Sequence, residues 1–204
     1  MVTGTKITLS QQELQLVTNT EWILTKRVVI EKVYMLLGGL SEKMKPLLQA
    51  GSGWLPAPVI DSDPKIYRGE NYLQLPYVLL DYPRCFSSDD TFAVRTLFWW
   101  GNFFSITLHL GGRYKKLFAA IISAKLPTLQ RDDYYICINK DQWQHHYEND
   151  NYAAAATINA LIFEELIAGK PFIKLSRRFP LQQWDEVQEL IERSFVEMLE
   201  LLKA

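Results

Sequence analysis

Cysteine is nearly missing from this chain. Two residues in 204 are cysteine, Cys85 and Cys137; neither belongs to a Cys-x-x-Cys pair and both have apolar or aromatic neighbours, a pattern of reduced structural thiols rather than a disulfide framework. An excess of one charge is missing too. Lys and Arg total 22 against 23 Asp and Glu, and a net charge of -1 gives no field to draw in a polyanion or an anionic surface. Nucleic acid is therefore disfavoured as a partner. Long hydrophobic runs are also absent: "LFAAIISA" (117–124) falls well short of the roughly 20 residues a membrane helix needs. The opening "MVTGTKITLSQQEL" has no apolar core of the signal-peptide kind. The expectation is a soluble, cytoplasmic protein with no membrane partner.

Catalytic and cofactor motifs are missing as well. There is no Gly-x-Ser-x-Gly nucleophile elbow. "LGGRYKK" (110–116) sets two glycines before a helix but lacks the remainder of a phosphate loop, so it reads as a turn. No cofactor is expected. Histidine is limited to His109, His145 and His146. His145, His146 and Asp150 in "WQHHYENDN" offer metal-binding atoms, but adjacent histidines diverge in both helix and strand. The competing expectation is a polar loop whose Asp150 or Asn151 caps the helix that follows.

What is present is ordinary globular material, 48% hydrophobic and 22% charged, enough for a sizeable core. A single α+β domain over residues 1–204 is expected, with a central antiparallel sheet of about five strands and N-terminal and C-terminal helices packed on it. Residues 1–50 read as helical. Ser10 with Glu13 has capping-box form; an apolar stripe runs through Trp22, Val29, Val33 and Leu36; Gly38 and Gly39 are expected to end that helix, with a shorter one over 41–49. Residues 51–64, "GSGWLPAPVIDSDP", with three prolines and two glycines, predict an extended connection. Residues 65–180 mix strands and helices. The strand-like runs are "NYLQLPYVLLDYP", "TFAVRTLFWW", "FFSITLHL", "DYYICIN" and "PFIKLSRRF". Pro76 inside the first marks an edge or a bulge. Two helices lie between the runs, "RYKKLFAAIISAKL" stopping at Pro127 and "NYAAAATINALIFEELIAG" stopping at Gly169. Residues 181–204 give a last amphipathic helix, with Trp184, Val187, Ile191, Phe195, Met198 and Leu202 on one stripe.

The densest feature is "TLFWWGNFFSITLHLGG" (96–112), with five aromatic residues between Phe98 and Phe104. A two-residue turn at Gly101-Asn102 predicts Trp100 opposite Phe103, Phe98 opposite Ser105, Val94 opposite His109 and Arg95 opposite Leu108. Alternation then sorts Ala93, Arg95, Leu97, Trp99, Phe104, Ile106 and Leu108 onto one face, and Phe92, Val94, Thr96, Phe98, Trp100, Phe103, Ser105, Thr107 and His109 onto the other. In that register Arg95 and His109 never meet. Both faces are mostly apolar, so both require cover.

Asp81, Arg84, Asp89 and Asp90 in "LLDYPRCFSSDD" gather where an apolar strand ends, a place where loops often bind ligands. Arg84 suits a carboxylate or phosphate, with Asp81 to orient it; the alternative is a plain turn, with Ser88 or Asp89 capping a short helix. The leading expectation is a non-catalytic module that binds a small molecule or a protein partner through Asp81, Arg84, Trp100, Phe103 and His109, with a homodimer through the aromatic hairpin left open. The alternatives are a metal-dependent hydrolase using His145, His146 or His109, and a nucleic-acid binder using the basic cluster Lys174, Arg177 and Arg178. A charged edge strand accounts for that cluster equally well.

Overall fold

The computed structural model describes residues 7–203. Residues 1–6 and 204 lie outside it, and with them the start of the segment read as helical over 1–50 and part of the stretch read for a signal-peptide core. Helix α1, Gln11–Thr18, begins with the expected capping box: Glu13 N–H donates to the Ser10 hydroxyl and Ser10 N–H to the Glu13 carboxylate. Asn19 then caps α2, Thr20–Gln49, by accepting from Trp22 N–H.

Gly38 and Gly39 do not end α2, which runs through both and through Pro46 for 30 residues. The separate helix expected over 41–49 is its last third. A helix-interior glycine costs about 0.5–1 kcal/mol. Burying one large aliphatic side chain contributes about 1.5–3 kcal/mol, and Leu37, Leu40, Met44 and Leu48 are all fully buried. Packing therefore outweighs the two breakers. The expected stripe holds at Val33, which is buried, and at Val29 and Leu36, which pack against the core, but it is centred on Ile30, Val33 and Leu37, and Trp22 stays exposed. The connection over 51–64 is not wholly extended, because Ala57–Ile60 forms the short helix α3 and buries Val59 and Ile60.

Seven strands, not five, build one antiparallel sheet: β1 Lys65–Tyr72, β2 Leu75–Phe86, β3 Thr91–Trp99, β4 Phe103–Gly111, β5 Tyr135–Cys137, β6 Tyr152–Ala154 and β7 Phe172–Pro180, in the order β1-β2-β3-β4-β7-β5-β6. The run "NYLQLPYVLLDYP" straddles the β1–β2 hairpin, whose turn residues Leu73 and Gln74 both have positive φ. Pro76 sits on an interior strand, with a register irregularity opposite it between Gly69 and Tyr72. β6 falls in the segment read as helix from Asn151. Pairing of Tyr152, Ala153 and Ala154 with β5 overrides alanine's helical preference, and the helix there, α6 Ala160–Gly169, is capped by Asn159 rather than by Asp150 or Asn151. Between β4 and β5 lie α4, Gly112–Ser123, and α5, Leu126–Arg131; Pro127 opens α5 instead of closing its predecessor. Asp90 accepts from Arg113 N–H at the start of α4, so the 87–90 segment caps a distant helix and not one of its own. The chain ends in α7, Val187–Glu200, which buries Val187, Ile191, Phe195 and Met198 as its stripe predicts.

The β3–β4 turn has three residues, Trp100, Gly101 and Asn102, with Gly101 at φ 74°. The glycine angle agrees with the sequence reading, but the extra residue shifts the register by one. Trp99 pairs with Phe103, Arg95 with Thr107 and Ala93 with His109. Phe92, Val94, Phe98, Phe104, Ile106, Leu108 and Leu110 consequently share one face, where α2, α4 and α7 pack to form the main core. Arg95, Ser105, Thr107 and His109 share the other. Arg95 and His109 thus lie on the same side of the sheet, which overturns the expectation that they could not converge. All residues of β3 and β4 are buried, so both faces are covered, as their composition requires.

Candidate functional site

The second face carries chemistry because its strands contribute polar residues in register. Asp81 of β2 faces Arg95 of β3, Arg95 faces Thr107 of β4, and His109 of β4 faces Lys174 of β7. A bulge in β2 adds to the set. Asp81 pairs with Arg95 and Arg84 with Ala93, so three steps along β2 match two along β3, and two residues that strict alternation would separate fall on one side. Lys65 and Tyr67 of β1 join them, through pairing with Asp81 and Leu79.

Arg95 and Asp81 form the centre. Arg95 is 9% exposed and Asp81 1%, and the guanidinium meets the carboxylate by two parallel bonds, Nε to Oδ1 at 2.7 Å and Nη2 to Oδ2 at 2.8 Å. Tyr67 completes the group: its hydroxyl accepts from Arg95 Nη2 and donates to Asp81 Oδ2, both at 2.9 Å. Burial pushes the Tyr67 hydroxyl well above its ordinary pKa, with Arg95 opposing and Asp81 adding to the rise, so it stays protonated. Burial works against the charge on Arg95, but the bonds from Asp81 more than compensate. Such a pair is stable only when complete; removing either member leaves a buried charge and costs about 3–5 kcal/mol.

Residues 138–151 lie over this face, contributing to its aromatic cluster and holding its polar groups. His145 Nε2 accepts from Arg95 Nη1 at 3.3 Å, Gln142 Oε1 accepts from His109 Nε2 at 2.9 Å, and the Gln144 carbonyl accepts from Lys174 Nζ at 2.6 Å. The loop is pinned by Tyr72 at the end of β1. Its hydroxyl accepts the backbone N–H of His145 and of His146 and lies 2.9 Å from His146 Nδ1 and 3.3 Å from Gln144 Oε1, while His146 Nε2 lies 3.2 Å from Asp150 Oδ1. Burial, reinforced by the Lys174 and Arg95 charges, lowers His109 to about 3, and His145 is also held well below its ordinary value, by burial first and then Arg95. Burial lowers Lys174 to about 8. The face therefore combines cations and neutral imidazoles around one carboxylate.

At its margin opens a cavity of about 380 Å³ lined by Lys65, Tyr67, Asp81, Arg84, Phe86, Arg95 and Trp143. Each cation stands over an aromatic ring: Lys65 over Tyr67 at 5.9 Å, Arg84 over Phe86 at 5.6 Å and Arg95 over Trp143 at 5.9 Å. Among the described residues neither Lys65 nor Arg84 has a salt-bridge partner. Four of Arg95's five N–H groups are taken by Asp81, Tyr67 and His145; one on Nη1 has no protein partner.

The candidate residues fall in different places. Asp81 and Arg84 line this cavity, but Asp81 orients Arg95 rather than Arg84. His109 lies behind it, 5.5 Å ring to ring from Trp143. Phe103 belongs to an aromatic cluster with Trp99 and Tyr147 at the far end of the face. Trp100 is in the turn and packs on Phe98 and on Trp22 of α2, away from the cavity. His145, His146 and Asp150 do not converge on one point, since His145 meets a guanidinium, and among the described residues no group of three or more metal-ligating side chains comes together. Lys174 is buried, Arg177 is bound to Glu197 and Ser194 on the helical side, and Arg178 stacks on Tyr135 and Tyr147; the basic cluster is not one surface. Cys85 and Cys137 are both free. Lys65, Tyr67, Phe86, Arg95 and Trp143 are the lining residues that sequence reasoning did not select. A charged residue inside the apolar run "TFAVRTLFWW" was the available signal for Arg95.

No helix among the described residues is long and apolar enough to cross a membrane. Comparison with protein-family models, with curated proteins and with solved structures finds no match.

Proposed function

We propose that this chain is a non-catalytic binding module for a small organic anion, a carboxylate or phosphate attached to an apolar or aromatic body. The observation that carries this reading is the charge balance of the 380 Å³ cavity: three cations, Lys65, Arg84 and Arg95, and one carboxylate that Arg95 and Tyr67 already occupy. An anion would find the unpaired Arg95 N–H and the planar fork of Arg84, and its body would lie against Phe86 and Trp143. Binding without acid-base chemistry fits the histidines. An imidazole whose conjugate acid is as strong as that of His109 is a poor general base at neutral pH.

Thermal shift and calorimetry with phenyl phosphate, benzoate and the neutral phenol test the reading. The anions are expected to raise the melting temperature while phenol does not. Arg84→Ala should weaken phenyl phosphate binding by roughly tenfold, about 1.4 kcal/mol. Equal shifts from phenol, or an Arg84→Ala variant that binds as well as the parent, would overturn it.

A further inference from the structure

Residues 7–29 form an arm with no fully buried side chain, which meets the body near its root, where Trp22 packs on Trp100 and Lys26 pairs with Glu70. Every one of them is exposed except Lys26 and Val29, which are half-buried, yet the arm carries Ile7, Leu9, Leu14, Leu16, Val17, Trp22, Ile23, Leu24 and Val28, each exposed, with Ile7 at 97% and Val17 at 69%. A hairpin or loop could leave such residues in water; an eight-residue helix cannot persist there. Isolated helices shorter than about 12–15 residues are marginal in water even when rich in alanine, and α1, eight residues long, has no buried side chain to hold it. Apolar surface of this extent on a short helix marks a contact with another surface.

At the root of the arm, between α2 and β1, is a groove of about 500 Å³ lined by Ile23, Lys26, Arg27, Ile30, Glu31, Tyr34, Arg68 and Glu70. Its wall is apolar at Ile23, Ile30 and Tyr34. Its charges sum to +1, three bases against two acids, and Lys26 and Glu70 already neutralise each other at 2.7 Å. Helix α1 is the complement: Leu14, Leu16 and Val17 supply the apolar side chains, and Glu13 is its one charged residue. We infer that the chain forms a two-fold dimer in which α1 of each copy lies in the α2–β1 groove of the other, with Glu13 against Arg27 or Arg68 of the second copy. A two-fold axis makes the contact reciprocal, so both arms and both grooves are filled at once.

Native mass spectrometry and light scattering of the full chain at micromolar concentration test this, and a dimer is the expected mass. Val17→Glu should give a monomer whose far-UV circular dichroism retains the sheet signature, because Val17 is 69% exposed and lies outside the core. Glu13→Arg and Arg27→Glu singly should each weaken the dimer, and the combined variant should restore it if Arg27 is the partner of Glu13; Arg68→Glu provides the same reversal for the other base. A monomeric parent, including one whose α1 folds back on its own groove, would overturn the inference. So would a dimer that survives Val17→Glu unchanged, or one that neither charge reversal restores.

Discussion

His109 shows how a single side chain is controlled by what surrounds it. Gln142 holds its Nε2 proton, Trp143 and Phe172 flank the ring, and Lys174 and Arg95 oppose a second positive charge nearby. Its pKa falls from 6.5 to about 3 on folding, so the folded state binds fewer protons than the unfolded one between those values. The stability this represents is complete above pH 6.5 and is lost as the pH falls towards 3. His145, lowered in the same direction, adds to that loss. His109→Gln removes one of the two contributions, and denaturant unfolding followed between pH 7 and 4 should show a shallower decline than the parent, by on the order of a few kcal/mol across the range. An unchanged slope would mean that His109 is solvated in the folded protein. At this scale the sequence was partly legible. Asp81 and Arg84 stand out as polar residues where an apolar run ends, and both line the cavity. Lys65 and Trp143 do not stand out, because nothing local distinguishes them from solvated loop residues until the sheet and the loop are assembled.

The elements show where local preference and packing part company. The capping box of α1 and the stripe of α7 depend on residues within two turns of each other, and both form as expected. Gly38, Gly39 and Pro127 are breakers by the same local rules, yet α2 passes through the first two and α5 holds the third in its first turn. For the two glycines the deciding information lies in the packing of α2 on the sheet, which local patterns do not contain, whereas a proline in the first turn of a helix follows a local rule of its own. At Gly38 and Gly39 an added Cβ would meet no atom within 4 Å. Gly38→Ala and Gly39→Ala should therefore each stabilise the chain by about 0.5–1 kcal/mol, raising the melting temperature without altering ligand or oligomer behaviour. A lower melting temperature from either would mean that α2 needs a bend there. Strand register was the other failure. The turn composition at Gly101 and Asn102 identified a hairpin correctly, but two-residue and three-residue turns share those residue types, and only the assembled ladder separates them.

Across the whole molecule, the loop over residues 138–151 is held by a strand end more than seventy positions before the residues it binds. Tyr72 alone accepts two consecutive loop N–H groups and also meets the His146 ring at Nδ1. Tyr72→Phe leaves those donors without their acceptor, at a cost of about 1–3 kcal/mol, and should release the loop while the sheet remains. Hydrogen exchange at His145 and His146 is expected to accelerate far more than exchange in β3 and β4. Uniform acceleration would show that loop and sheet open as one unit. The α+β architecture was legible from the order of helical and strand-like runs, whereas this clamp was not, because a tyrosine hydroxyl leaves no trace of its distant partners in one sequence.

The three-residue turn at Trp100–Asn102 has a consequence for which changes of length the chain can accept. Side chains alternate along β4, so a slip of its pairing with β3 by one residue exchanges its odd and even positions. Phe104, Ile106 and Leu108 would then face Asp81 and Lys174, and Ser105, Thr107 and His109 would enter the helical core. The β3–β4 pairing acts as a parity setting for β4, with two values and one that works. A change of length is therefore accepted here only where the turn itself takes it up and the pairing of Trp99 with Phe103 is kept.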